Sequence, residues 1–337
     1  MKHIFFLHSH ITYFVSIAVI NYKKINKQDI LFVTARNYTN NTLKNLKTID
    51  LSKEYDELNR IYINKFYSIY PYIKKFDKKL KFELKQESFT AYLPHVENKL
   101  MQLFATHKNC KAFNIIEEGG TSYAPHFMTF QFNNIWESVI KKTFNSILSV
   151  FNNRFYYVKV YDIRTFKKSE PTIFYSIDDR AFQGLPYTIK LIPSIEDISI
   201  SYKIDNSYAL VLEGAVEQGN LNFNTLLKGI IEIISKEKFE KIYIKYHPVQ
   251  STDNRKKIES TFKDHNIQFF IIPDEIPFEQ IAISSKNLHV LGFSSSLLFY
   301  SKAFGCNVTT YENTLMEDKL FQTFRSKNNF DLNKLLN

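Results

Sequence analysis

Residues 241–248 read KIYIKYHP. A short run of β-branched and aromatic residues, closed by a proline, has the composition of a buried strand. Working outward, runs of the same kind recur: SYALVLEG at 207–214, IQFFIIPD at 267–274, NLHVLG at 287–292 and CNVTTYE at 306–312. The stretches 221–237 and 278–284 between them have helical character. The other half of the chain repeats the arrangement, with KHIFFL at 2–7, DILFVTA at 29–35, RIYINKF at 60–66 and FNIIEE at 113–118. Helices are expected from Ile11 to Ile20, over 90–107 and over 134–151. Strand–helix alternation in both halves predicts an α/β protein with two parallel-sheet domains. The chain of 337 residues is long enough for two ordinary cores. The expected division is an N-terminal domain over 1–165, a connecting region over 166–205 that contains Pro171, Pro186 and Pro193, and a C-terminal domain over 206–337. No internal repeat or low-complexity segment interrupts this order.

The formal net charge of +10 favours an anionic partner: a nucleotide, an acidic sugar, nucleic acid or an anionic membrane face. The two cysteines, Cys110 and Cys306, are far apart and form no CxxC, which argues against a disulfide framework and against a structural zinc site. A reducing, cytoplasmic compartment is expected. The opening MKHIFFLHSHITYFVSIAVI resembles a targeting segment only briefly. His8, Ser9 and His10 interrupt it, no small-residue cleavage site follows, and no run reaches the roughly 20 apolar residues of a spanning helix.

Ligands of parallel sheets sit beyond the C-terminal strand ends. Five of the chain's eight glycines fall at such places: Gly119, Gly120, Gly214, Gly219 and Gly292. Turns alone explain some of these, but here they stand beside acids, a His-Pro pair and a serine run. In IIEEGG, side chains alternate, so one of Glu117 and Glu118 faces a cleft and can act as a base while the glycines leave room for a hydroxyl. In KYHP, Pro248 restricts His247 to extended backbone, which holds its imidazole at a strand end. In GFSSS, Ser294, Ser295 and Ser296 precede a helix, where free N–H groups bind phosphate oxygens. One serine would suffice as an ordinary cap. In IIPDEIPFEQ, Glu279 opens a helix, where it either accepts from a ribose diol or simply favours the positive helix end. Glu213 and Glu217, in VLEGAVEQG, lie at another strand end with either donor or acceptor as a target. His8-Ser9-His10 has no evident third metal ligand and reads as a polar loop on the acceptor side. There is no P-loop, no GxGxxG and no Asp-x-Asp, which argues against ATPase, dehydrogenase and metal-dependent sugar-transferase chemistry.

The ordered set EEGG, KYHP, PFEQ, SSS resembles the bacterial sialyltransferases that carry a [DE]-[DE]-G motif, an HP motif and a serine motif. These are the capsule, lipooligosaccharide and O-antigen sialyltransferases and the bacterial polysialyltransferases. The resemblance runs from about 113 to 300 through short motifs whose order carries the specificity. It implies a GT-B fold, two Rossmann-like domains facing across a cleft, and inverting transfer from CMP-sialic acid without a metal or other cofactor. It implies Glu118 as the base on the acceptor hydroxyl and His247 as the acid or phosphate stabiliser. Lys245, Pro248, Glu279 and Ser294–Ser296 fall to the donor nucleotide, and Gly119, Gly120, Gly214 and Gly292 to the site loops. The acceptor expected is a galactose-terminated surface glycan of a bacterium, lipid-linked in the cell, with peripheral contact at the inner face of the cytoplasmic membrane. The lysine- and aromatic-rich stretch 70–85 could supply that contact, although a solvated basic helix explains it as well. A transferase for another CMP-linked ulosonic acid fits the same motifs. A non-catalytic binder of nucleic acid or acidic glycan fits the charge alone, but the basic residues form no stripe and no nucleic-acid partner is expected.

Overall fold

A computed structural model of the protein describes residues 1–38, 43, 46–61, 69–123, 135–150, 153–156, 166, 168, 170–194, 202–327 and 332–336. The chain divides into two compact units, Met1–Pro193 and Ser194–Asn337.

The first unit contains β1 (Lys2–Leu7), β2 (Ile30–Thr34), β3 (Thr48–Asp50), β4 (Phe89–Leu93), β5 (Cys110–Ile116), β6 (Phe174–Ser176) and β7 (Thr188–Lys190). They form one parallel sheet in the order β3-β2-β1-β4-β5-β6-β7. Its helices are α1 (His10–Tyr22), α2 (Ser52–Asn59), α3 (Ile69–Glu83), α4 (Lys99–Ala105) and α5 (Ile135–Leu148). Central strands such as β2 (ILFVT) and β4 (FTAYL) are buried at every position. That is why they read as continuous apolar runs and not as alternating ones: both faces of a parallel sheet are covered. The turn from β1 into α1 is fixed by Ser9, which caps the helix in a reciprocal capping box with Thr12.

The second unit contains β8 (Tyr208–Val211), β9 (Lys241–Lys245), β10 (Gln268–Ile271), β11 (His289–Gly292) and β12 (Asn307–Thr310), ordered β10-β9-β8-β11-β12 and all parallel. Its helices are α6 (Phe223–Lys236), α7 (Thr252–Asp264), α8 (Phe278–Ser284), α9 (Ser296–Ala303), α10 (Glu312–Leu315), α11 (Lys319–Lys327) and α12 (Leu332–Leu336). Leu210, Ile242, Ile244 and Leu291 from the strands pack with Ile230, Ile233, Ile258 and Phe262 from α6 and α7. At full burial each such side chain stabilises the unit by roughly 1.5–3 kcal/mol.

Both sheets follow one logic. The chain enters at a central strand, β1 or β8, builds two strands to one side, then returns to the other. The topological switch points lie between β1 and β4 and between β8 and β11, where doubly wound sheets bind ligands.

The structure corrects one element. Residues 90–107, expected as one helix, contain most of β4 and, after a turn, the short α4. FTAYL is apolar on both faces, so its periodicity does not separate strand from helix. The span read as a connection carries β6 and β7, which pair into the first sheet. Most of the strand expected at 60–66 lies outside the described residues. The basic stretch 70–85 is largely α3, which buries Ile69, Phe76 and Leu80 and turns its lysines outward, with Lys79 paired to Glu54 at 3.1 Å.

Candidate active site

In the first unit, the strand ends bring together residues distant in sequence. His8 follows β1, Arg36 follows β2, His95 follows β4, and Glu118 follows β5. His8 Nε2 lies 3.0 Å from Glu118 Oε1, His95 Nε2 lies 3.7 Å from Glu118 Oε2, and an Arg36 guanidinium nitrogen lies 3.9 Å from Glu118 Oε1. Burial alone would raise the Glu118 carboxyl, but the close approach of His8 and the charges of His95, His8 and Arg36 outweigh it. The group is held down at about 2. Arg36 is left-handed, with φ of 59°, an uncommon conformation for a side chain of its size.

Alternation along β5 separates the two acids. Glu117 is fully buried; its Oε1 accepts the Tyr123 hydroxyl at 2.7 Å and its Oε2 accepts the Ile177 N–H at 2.7 Å. It ties β5 to the chain after β6. Gly119 has φ of 146°, which a side chain would resist, and starts the turn closed by the Ser122 N–H on the Gly119 carbonyl. Gly120 opens the short 3₁₀ turn Gly120–Tyr123.

The His8-Ser9-His10 loop divides. His8 joins Glu118, Ser9 caps α1, and His10 Nδ1 pairs with the Tyr38 hydroxyl at 3.2 Å. His8, His95 and Glu118 offer ligand atoms all within 4.8 Å of one another. However, His95 Nδ1 accepts the Glu97 N–H at 3.2 Å, so in the neutral ring the proton sits on Nε2, the atom that faces Glu118. That tautomer suits a hydrogen-bond donor to a carboxylate and not a metal ligand. Reading the sequence alone missed His95 and Arg36. The signal was their position just past apolar runs, the rule that exposed the other sites.

In the second unit, His247 and Pro248 follow β9. The His247 N–H donates to Gln250 Oε1 at 2.8 Å, and Nδ1 accepts the Val249 N–H at 3.3 Å. Nε2 therefore carries the proton of the neutral ring. Burial pulls the imidazole below its usual range, against the attraction of Glu217. A β-carbon on Gly214 would come within 2.9 Å of His247 Nδ1 and 2.4 Å of Val249 Cγ2, so only glycine lets this loop lie against the end of β8.

Lys245 is buried and directs its ammonium to the carbonyls of Pro273, Asp274 and Ile276, at 2.7, 3.2 and 2.8 Å. It pins the loop that leads to Glu279, an 8% exposed acid in the first turn of α8. Glu217 accepts the Ser251 N–H at 3.0 Å and the Asn254 amide at 2.9 Å, which anchors the start of α7. Gly292 ends β11 between Val211 of β8 and Thr310 of β12. Ser295 caps α9, accepting the Leu297 N–H at 3.3 Å, and Ser296 opens that helix. Ser294 instead turns its hydroxyl onto Glu213 Oε2. Glu213, Gly214, Gly292 and the serines thus gather at the β8/β11 switch point.

Two parallel α/β units of this kind match the GT-B fold. Residues 8–312 match the family Alpha-2,8-polysialyltransferase (POLYST), and the chain belongs to that family, which makes it a sialyltransferase. Its fold is similar to that of a 2,6-sialyltransferase from Photobacterium sp. JT-ISH-224 of the Vibrionaceae, in a ternary complex with the donor product CMP and the acceptor substrate lactose. That match has a TM-score of 0.53 at 10% identity and covers 96% of this chain and 75% of the other. A similar match is MnaA of S. aureus in a structure with UDP, with a TM-score of 0.50 at 11% identity, covering 97% of this chain and 87% of the other. A comparison with curated proteins found no match. Among the described residues, no helix is long and apolar enough to cross a membrane.

Proposed function

We propose that the protein transfers sialic acid from CMP-sialic acid to a hydroxyl of a bacterial surface glycan, with inversion and without a metal. The observation that supports this most is the isolation of Glu118, and not Glu117, among His8, His95 and Arg36 at the end of β5. The family and the CMP and lactose bound by the Photobacterium enzyme support the donor and acceptor classes.

Departure of CMP from a tertiary sugar carbon leaves oxocarbenium character, with negative charge growing on phosphate. The acceptor oxygen bonds to that carbon as the carbon–phosphate oxygen bond breaks, and the hydroxyl proton passes to Glu118. A carboxylate held near 2 is too weak to ionise a free sugar hydroxyl. It serves here because the attacking hydroxyl becomes strongly acidic as it bonds to the cationic carbon, so the proton moves late. His247, neutral before donor binds, presents Nε2–H to the leaving phosphate, and the phosphate's charge favours the protonated ring. Ser295 and Ser296 and the N–H groups of α9 cradle the same phosphate. Glu279 receives the ribose diol, and Lys245 keeps its loop in place. Pro248 holds His247, and Gly119, Gly120, Gly214 and Gly292 shape the loops around the substrates.

The acceptor is a galactose-terminated glycan or, as the family description suggests, one that already ends in sialic acid. The +10 charge suits an anionic donor and an anionic product alike. The enzyme works in the cytoplasm, at the inner face of the membrane where lipid-linked glycans are built. Incubation with CMP-sialic acid and either lactose or a sialylated oligosaccharide, followed by product sizing, tests this reading. Transfer to either acceptor supports it, and a ladder of products marks a polymerase. Turnover only with another CMP-linked ulosonic acid would replace the donor while keeping the site.

A further inference from the structure

We propose that Glu213 is a donor-site residue whose carboxyl sets the polarity of the Ser294 hydroxyl, coupling phosphate binding at the serine turn to uptake of one proton. This rests on the reading of that turn as the donor-phosphate site.

Glu213 lies two residues past β8 and Ser294 two past β11, on either side of the switch point. Ser294 Oγ donates to Glu213 Oε2, while Oε1 is buried without a hydrogen-bond partner among the described residues. Burial pushes this carboxyl up to about 7; Ser294 opposes the shift, Glu312 of α10 adds to it, and Arg325 of α11 opposes it. Arg325 is already paired with Glu312 at 2.7 Å, so it does not neutralise Glu213. An acid that changes charge near neutrality therefore stands inside a site meant for an anion.

A serine hydroxyl has one proton. With Glu213 ionised, that proton is committed to the carboxylate, and Ser294 has only lone pairs left for a phosphate oxygen. With Glu213 protonated, the acid donates to Ser294 Oγ, and the serine proton is released toward the phosphate. An arriving phosphate also disfavours the carboxylate directly. No covalent bond changes; a proton from solvent ends on Glu213.

CMP is the probe, titrated calorimetrically in mildly acidic and mildly alkaline buffers of differing ionisation heat, with wild type, Glu213→Gln and Ser294→Ala. The expected result is net proton uptake by wild type and an affinity that falls up to about tenfold per pH unit above the carboxyl's titration. The glutamine amide mimics the protonated acid by donating to Ser294. That variant retains only the pH dependence of CMP's own phosphate, as does Ser294→Ala, which also binds more weakly at mildly acidic pH. If wild type binds CMP with the same pH slope as both variants and no excess proton uptake, the inference is overturned and the donor site stands. Failure of wild type to bind CMP in either buffer overturns the donor-site reading itself. Should Glu213→Gln fail to fold, the wild-type proton count and Ser294→Ala decide.

Discussion

His8, at the end of β1, places Nε2 3.0 Å from Oε1 of Glu118, at the end of β5, across the intervening β4. The His8 side chain is fully buried, so this contact belongs to the fold and not to a mobile surface. It helps to hold Glu118 at about 2, below its ordinary 4.5. A depressed carboxyl stabilises the folded state fully above the ordinary value, and that contribution is lost as pH falls toward 2. The shift is worth about 3 kcal/mol at neutral pH. Urea unfolding as a function of pH should show a steeper loss between these values in wild type than in Glu118→Gln. Equal slopes would mean that the cluster does not hold the charge.

The two adjacent acids should separate by phenotype. Glu118→Gln should lower transfer by roughly 10²–10⁴-fold, the range for a general base. Glu117→Gln faces Tyr123 and the Ile177 N–H and should mainly cost stability, about 1–3 kcal/mol, because a buried acceptor set is disturbed. Kinetics alongside thermal melting checks both, and a reversal of the two phenotypes would move the base to Glu117.

Gly214→Ala tests the backing of His247. The new β-carbon would fall 2.9 Å from His247 Nδ1, and the ring must shift. A displacement of the ring that faces the leaving phosphate should lower kcat by up to about 10²-fold. Binding of CMP should suffer less than turnover. Unchanged kcat in a folded variant would show that the His247 ring position is unimportant.

Lys245→Met removes the donors from three carbonyls of the loop before Glu279. The expected loss is about 1–3 kcal/mol of stability, with a raised KM for donor and a smaller effect on kcat. Unfolding curves and donor titrations distinguish this from direct phosphate contact, in which kcat would fall most.

Much of this architecture was legible because parallel strands buried on both faces write themselves as apolar runs. KIYIK, QFFI and HVLG each form a strand of the second sheet. The same property conceals β4, since FTAYL lacks the alternation that would separate a strand from the helix after it. His95 is hidden with it, because the apolar pattern does not mark a strand end at Leu93. Arg36 follows DILFVTA directly and was within reach of the same rule. The partnership of His8 with Glu118 had no local signal, since it depends on the strand order β1-β4-β5. The commitment of Glu117 to Tyr123 and the N–H of Ile177 was equally silent, although alternation already required the two acids to face opposite ways.

The most direct test is transfer from CMP-sialic acid with excess chelator, measuring CMP release and glycan product for wild type, Glu118→Gln and His247→Ala. The account predicts metal-independent transfer by wild type that collapses in both variants while both remain folded at the assay temperature, with Glu118→Gln melting lower than wild type. Transfer that stops on chelation and returns with a divalent cation, or folded variants that retain wild-type rates, would contradict it.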